Sequence, residues 1–229
     1  MLLSETEPSL FLLSANEIEQ GVPTGCVQSH WTQFQQVVNW ARTYLCQPHA
    51  ELGRPGSVCP YVEMSLKQGH FWLTAYPGCR PTPTEIAAIA ARYREWFLEL
   101  NPISGKETEH KAILILFPDL PPDEAPSIID GGQAALKAEF VARGLMIGQF
   151  HASCDYPALW NRQFHPLRSP VPLLAIRYMV PTDAPFLMKE PGALDVYLRR
   201  FGADVPSRLE GVVREAAAAA GLDYPIHTA

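Results

Sequence analysis

An α/β (α+β) fold, a central mixed sheet flanked by helices, is predicted by three observations. Lys111–Phe117 (KAILILF) is one charge followed by a continuous apolar run, too short for a helix and closed by Pro118. That is the pattern of a strand buried on both faces. Two longer stretches, 29–45 and 82–100, carry apolar residues at three- and four-residue spacing, the mark of amphipathic helices. After the first of these, strand and helix signals follow in the order β-β-α-β-α-β-β-α-α, which a sheet covered by helices accommodates.

Residues 1–28 show no clear period and are expected to form an irregular arm or an edge strand. Trp31, Phe34, Val37, Val38, Ala41, Tyr44 and Leu45 then share a helix face, with Ser29 as N-cap and Pro48 as the stop. A loop shaped by Gly53, Pro55, Gly56 and Pro60 leads to two predicted strands, 61–66 and 70–76, joined as a hairpin through Gly69. Thr82-Pro83-Thr84-Glu85 has capping-box spacing, with the proline where its missing N–H does no harm. That helix ends before Pro102. A further helix is expected over 125–142, its early part made uncertain by Asp130-Gly131-Gly132, with Gly144 as C-cap. Strands follow at 145–150 and 173–179, then a turn at 185–188 and helices over 194–201 and 208–220.

The 229 residues fit one domain over 1–229, with the helices of 190–229 packing on it. Hydrophobic residues at 47% against 18% charged call for a packed core, and a net charge of -6 argues against nucleic-acid binding. No apolar run approaches the roughly 20 residues of a membrane span. Glu5 and Glu7 near the start, with no early Lys or Arg, are unlike a secretory signal. Five cysteines at 26, 46, 59, 79 and 154, with no CxxC pair, imply neither a disulfide framework nor a zinc knuckle. A cytoplasmic protein without membrane contact is expected.

Side chains able to carry chemistry concentrate in 144–187. His151 ends a predicted strand, where a side chain can face a crevice. It suits an iron ligand or a general base, or is a capped core histidine. Gly148 before it leaves room for a flat ligand. His165 and Arg168 sit on a loop stiffened by Pro166 and Pro170. The arginine fork fits a substrate carboxylate or a heme propionate, or else a nearby acid. Arg177, inside an apolar strand, binds substrate, faces outward or pairs with Asp183. Trp160 is the indole placed to line a pocket. Cys59 and Cys154 are candidate nucleophiles or inert buried thiols. There is no GxGxxG, Walker A, HExxH or GxSxG motif.

The pieces WARTYLCQPHAELGRPGSVCPYV (40–62) and GLMIGQFHASCDYPALWNRQFHPLRSPVPLLAIRYMVPTDAPFL (144–187) resemble the uncharacterised bacterial DUF6875 family. Its members combine Pro-His-x-x-Leu-Gly-Arg-x-Gly-x-Val-Cys-Pro with Met-Ile-Gly-x-Phe-His and Arg-Ser-Pro-x-Pro. More distantly, the layout is similar to the YqcI/YcgG family of heme-containing proteins, some of which oxidise the nitrogen of amino-acid-type substrates. This chain departs from it in having Phe150-His151-Ala152 where that family has His-Pro. The second resemblance implies a heme-binding oxidoreductase. His151 would be the axial ligand, and Arg168 or Arg177 would hold a propionate or the carboxylate of a small nitrogen-bearing substrate; from their place in the motif, His165 and Arg168 are expected at the cofactor and Arg177 and Trp160 at the substrate. An electron donor would be its partner. Two alternatives stand beside it: a non-catalytic sensor of heme or a small acid, and a metal-free enzyme with His151 as base.

Overall fold

The structure, a computed structural model, describes residues 1–21, 25–78 and 80–224. Cys79 and the last five residues of the expected 190–229 helical segment lie outside the described residues. The described chain falls into two compact units. One is Met1–Leu136 with Ile147–Arg177; the other is Lys137–Met146 with the chain from Tyr178 onward. The architecture is mixed α/β, as predicted.

The first unit holds all of the sheet except Leu145, Met146 and Tyr178. The strands are β1 (Leu2–Leu3), β2 (Phe11–Ser14), β3 (Phe71–Ala75), β4 (Ala112–Leu116), β5 (Leu145–Phe150) and β6 (Leu173–Tyr178), in the spatial order β1-β2-β3-β4-β6-β5. β3 and β4 run parallel, Phe71 opposite Ala112 through Ala75 opposite Leu116. The β1–β2, β2–β3 and β4–β6 pairs are antiparallel. β4 is central, and Ile113–Leu116 are all buried, as an uninterrupted apolar run requires.

A parallel pair needs a long crossover. Helix α4 (Pro83–Glu99) supplies it, opened by the expected capping box: Glu85 N–H donates to Thr82 Oγ1 (3.2 Å) and Thr82 N–H to Glu85 Oε2 (2.7 Å). The other end of α4 is closed by Lys111, which has 0% exposure. Its ammonium donates to the carbonyls of Phe97 and Leu100, each at 2.7 Å, and lies 4.4 Å from the Phe97 ring centre. Burial pulls its pKa down to about 8.

Three expectations are corrected here. Residues 61–66 are not a strand of a hairpin; α3 (Val62–Lys67) occupies them and buries Val62, Ser65 and Leu66. That spacing of three and four is helical, whereas alternation with Val62 and Leu66 would have buried Met64, which is exposed. The 1–28 segment is not an irregular arm; its edge-strand alternative holds, with β1 at the edge of the sheet beside β2. Besides β1 and β2 it holds α1 (Ala15–Gln20), capped by a Ser14–Glu17 box. The local pattern Ser-x-x-Glu announces that box. Ser29 does not cap α2 (Trp31–Trp40). A 3₁₀ segment, Gly25–His30, precedes that helix, and the Ser29 hydroxyl meets His30 Nδ1 at 3.0 Å. Two π-helical turns, Ala41–Leu45 after α2 and Pro126–Asp130 before α5 (Gly131–Ala142), widen the chain beside the region described next.

The second unit is helical: α6 (Ala184–Leu187), α7 (Pro191–Phe201) and α8 (Ser207–Ala219). Leu187, Leu194, Tyr197, Val213 and Ala217 form its core. The phenol of fully buried Tyr197 donates to the Pro181 carbonyl at 2.6 Å. Gly144 takes the left-handed φ of +71° expected of a helix C-cap. Among the described residues, no helix is long and apolar enough to cross a membrane.

Candidate metal centre

β5 ends at Phe150, and His151 is the first residue beyond it. Its ring is almost wholly buried, at 1% exposure. One ring nitrogen, Nε2, lies 3.1 Å from Asp130 Oδ1; the other, Nδ1, lies 3.3 Å from Ser153 Oγ. Asp130 is the last residue of the π-helical turn ahead of α5, and its side chain is 44% exposed. The chain then turns back under His151: Cys154 N–H donates to the His151 carbonyl at 3.1 Å, as does Ser169 N–H at 3.3 Å. This turn brings the Cys154 thiol to the other two groups.

Asp130, His151 and Cys154 each offer one donor atom, and the three atoms lie within 4.8 Å of one another. Two donors about 2.0–2.1 Å from a tetrahedral metal stand roughly 3.3 Å apart. The 3.1 Å between His151 and Asp130 is close to that spacing. The Cys154 thiol is buried, and burial pushes its pKa up, helped by the charges of Asp130 and Asp155. A free cysteine nucleophile needs the opposite shift. A bound cation reverses that shift and holds the group as thiolate.

Arg168 closes the loop from the other side. Its Nε donates to the Cys154 carbonyl (3.3 Å) and a terminal nitrogen donates to Asp155 Oδ1 (3.1 Å). Next to it an open groove of about 510 Å³ is lined by Gln36, Asn39, Trp40, Thr43, Ala152, Arg168, Ser169 and Pro170. The first four are one face of α2 and its π-helical continuation. Trp40 stands edge-on to Phe150, at 5.8 Å between ring centres, and stacks on Tyr44 at 6.1 Å. The two sequence motifs also meet: His49 stacks on Phe164 at 4.4 Å, and the Asn161 amide donates to the Glu51 carbonyl at 2.7 Å.

Of the expected site residues, the structure brings together His151, Arg168 and Cys154. His165 is half-buried on the same loop and contributes its carbonyl to Arg168 N–H at 3.4 Å. Trp160 is 55% exposed and lies against Gly53; the indole that lines the groove is Trp40. Arg177 is opposite Ala112 at the end of β6, whereas His151 adjoins Ser169, ahead of β6. Eight residues of chain therefore separate Arg177 from that contact. The space over Gly148 is taken by the Phe150 ring: a Cβ there would come 3.1 Å from it. Asp130 escaped sequence reasoning, because Asp130-Gly131-Gly132 reads as a helix interruption and not as a ligand.

A heme on His151 requires one ring nitrogen free, with flat space in front of it. Both nitrogens are engaged inside a ring environment with 1% exposure. The residues present fit a small ion and not a heme in this arrangement.

A mixed-sheet α/β protein with a three-donor cluster at a strand end is the class that fold and site define. The chain belongs to the DUF6875 family, described as a domain of unknown function, whose family model matches residues 34–211. The YqcI/YcgG likeness is not shown by the comparisons. Neither the curated proteins nor the solved structures contain a match.

Proposed function

We propose that this chain is a metal-dependent enzyme whose single transition-metal ion is held by Asp130, His151 and Cys154. The observation that carries this reading is the convergence of three unlike donors, drawn from a helix start, a strand end and a turn, to within 4.8 Å. A carboxylate, an imidazole and a thiolate together suit zinc, iron(II) or cobalt(II) better than magnesium or calcium. Three protein donors leave a fourth position open, as catalytic sites do. The half-exposed Asp130 marks the side on which water or substrate reaches it. When bound, the ion supplies Lewis-acid chemistry and a water acidified to near neutrality.

The chain's own residues do the rest. With the ion on Nε2, the ring proton would sit on Nδ1, which lies 3.3 Å from the Ser153 hydroxyl and would donate to it. Cys154 gives up its proton to solvent as the ion binds. Arg168 holds the carbonyl of Cys154 and thereby the position of the turn.

The test is metal content and spectrum. Protein purified without chelator should carry about one equivalent of metal, and cobalt(II) loading should give a sulfur-to-cobalt charge-transfer band in the near ultraviolet. Cys154→Ser should lose that band, and Asp130→Asn, the least buried of the three, should weaken binding without unfolding the chain. Absence of stoichiometric ion after metal addition would overturn the proposal. A hemin titration runs alongside. A Soret band that forms with wild type and vanishes in His151→Ala would replace the ion by a heme, and with it would come the oxidoreductase expected from the YqcI/YcgG likeness.

A further inference from the structure

We infer that the groove beside Arg168 is the subsite for the anionic end of a small planar carboxylate, which Arg168 grips in place of Asp155. The inference stands apart from the proposed function, because recognition of the carboxylate needs no metal.

Arg168 already binds a carboxylate in this structure, that of Asp155, at 3.1 Å. That partner is 84% exposed and Arg168 is half-exposed, so the pair is the kind worth little in water. It is readily exchanged for an incoming carboxylate of matching geometry. The other Arg168 contact, Nε to the Cys154 carbonyl, is to the backbone and orients the guanidinium without neutralising it. Tyr44 lies near enough to feel the Arg168 charge, which lowers its phenol pKa against the rise that burial causes.

The rest of the groove describes the ligand's body. Trp40 is fixed between Phe150 and Tyr44 and presents a rigid aromatic wall. Gln36, Asn39 and Thr43 recur along one helical face and offer neutral hydrogen-bonding groups, with no carboxylate among the groove's lining residues. A flat apolar body with one carboxylate matches this combination of one cation, one aromatic wall and neutral polar edges. The Cys154 carbonyl bond ties Arg168 to the turn that carries the thiol, so a carboxylate held here lies beside that turn.

The experiment uses the full chain, stripped of metal with EDTA, and titrates benzoate, acetate and sulfate by ligand-observed NMR and calorimetry. Benzoate should bind more tightly than acetate or sulfate. Asp155→Asn should tighten benzoate binding by several fold, because the internal competitor is gone. Arg168→Gln should weaken it by about tenfold or more, the scale of one charge-assisted hydrogen bond. Arg168→Lys should fall between, keeping the charge and losing the fork. If Arg168→Gln fails to fold, Asp155→Asn and Arg168→Lys still decide. Benzoate that does not bind, binds unchanged in Asp155→Asn, or binds no better than sulfate overturns the inference. These readouts are taken without metal, so their failure leaves the metal proposal standing, and failure of metal binding leaves them intact.

Discussion

Cys154 is the residue on which the chemistry turns. Burial and two neighbouring carboxylates hold it as a thiol, yet a metal takes it only as thiolate. One proton must leave for each ion bound. Below the raised thiol pKa, metal affinity should therefore fall about tenfold for each unit of pH lost, which competition with a chromophoric chelator at several pH values will measure. Ser153→Ala removes the hydroxyl opposite Nδ1 and should cost about tenfold in affinity at fixed pH. Lys111 makes a separate prediction, concerned with stability. Its folded pKa is depressed to about 8 from 10.5, so between those values the unfolded chain holds more of the proton. Stability from this group is present above the unfolded value and lost as pH falls through about 8. Its two carbonyl hydrogen bonds hold the proton and temper the effect. Urea unfolding should show wild type gaining on the order of 2 kcal/mol relative to Lys111→Met between pH 8 and pH 10.5.

At the scale of elements, legibility followed the range of the signal. The Thr82–Glu85 box, the KAILILF strand and the Gly144 cap are each written within a few residues, and each stands where the pattern placed it. The short helix α3 was hidden because six residues hold barely two turns, and Tyr-Val-Glu-Met-Ser-Leu alternates well enough to imitate a strand. The site was half legible for the same reason. His151, Cys154 and Arg168 fall within one motif, but Asp130 joins them from 21 residues away, with α5 and β5 in between. The Asp130-Gly131-Gly132 sequence has a packing cause as well. A Cβ on Gly132 would stand 2.6 Å from Cγ2 of Ile86 in α4, whereas one on Gly131 would meet nothing within 4 Å. Gly132→Ala should therefore destabilise by about 1–3 kcal/mol through overpacking. Gly131→Ala should be neutral or stabilising by up to about 1 kcal/mol, from helix propensity alone. Paired denaturation curves separate the two.

For the whole molecule, an ion at Asp130, His151 and Cys154 would join the start of α5 to the turn after β5, two places far apart in sequence. Binding to the folded chain alone raises its stability by mass action, about 2.7 kcal/mol at a hundredfold excess over the dissociation constant. Zinc or cobalt should accordingly raise the melting temperature, EDTA should reverse the rise, and Asp130→Asn should show neither. A chain that melts at the same temperature with and without metal would lack the site.

The strand order carries a consequence in time. β4, the most apolar strand, pairs on one side with β3, which precedes it, and on the other with β6. Leu173, the partner of Leu116, is made about 60 residues later, which at about 5–20 residues per second is roughly 3–12 s of synthesis. Throughout that interval the backbone of Ala112–Leu116 has an open edge, the kind of template on which nascent chains pair wrongly. The ribosome's pace between residues 116 and 173, more than the stability of the finished sheet, then sets how long this chain is at risk and how much of it needs a chaperone.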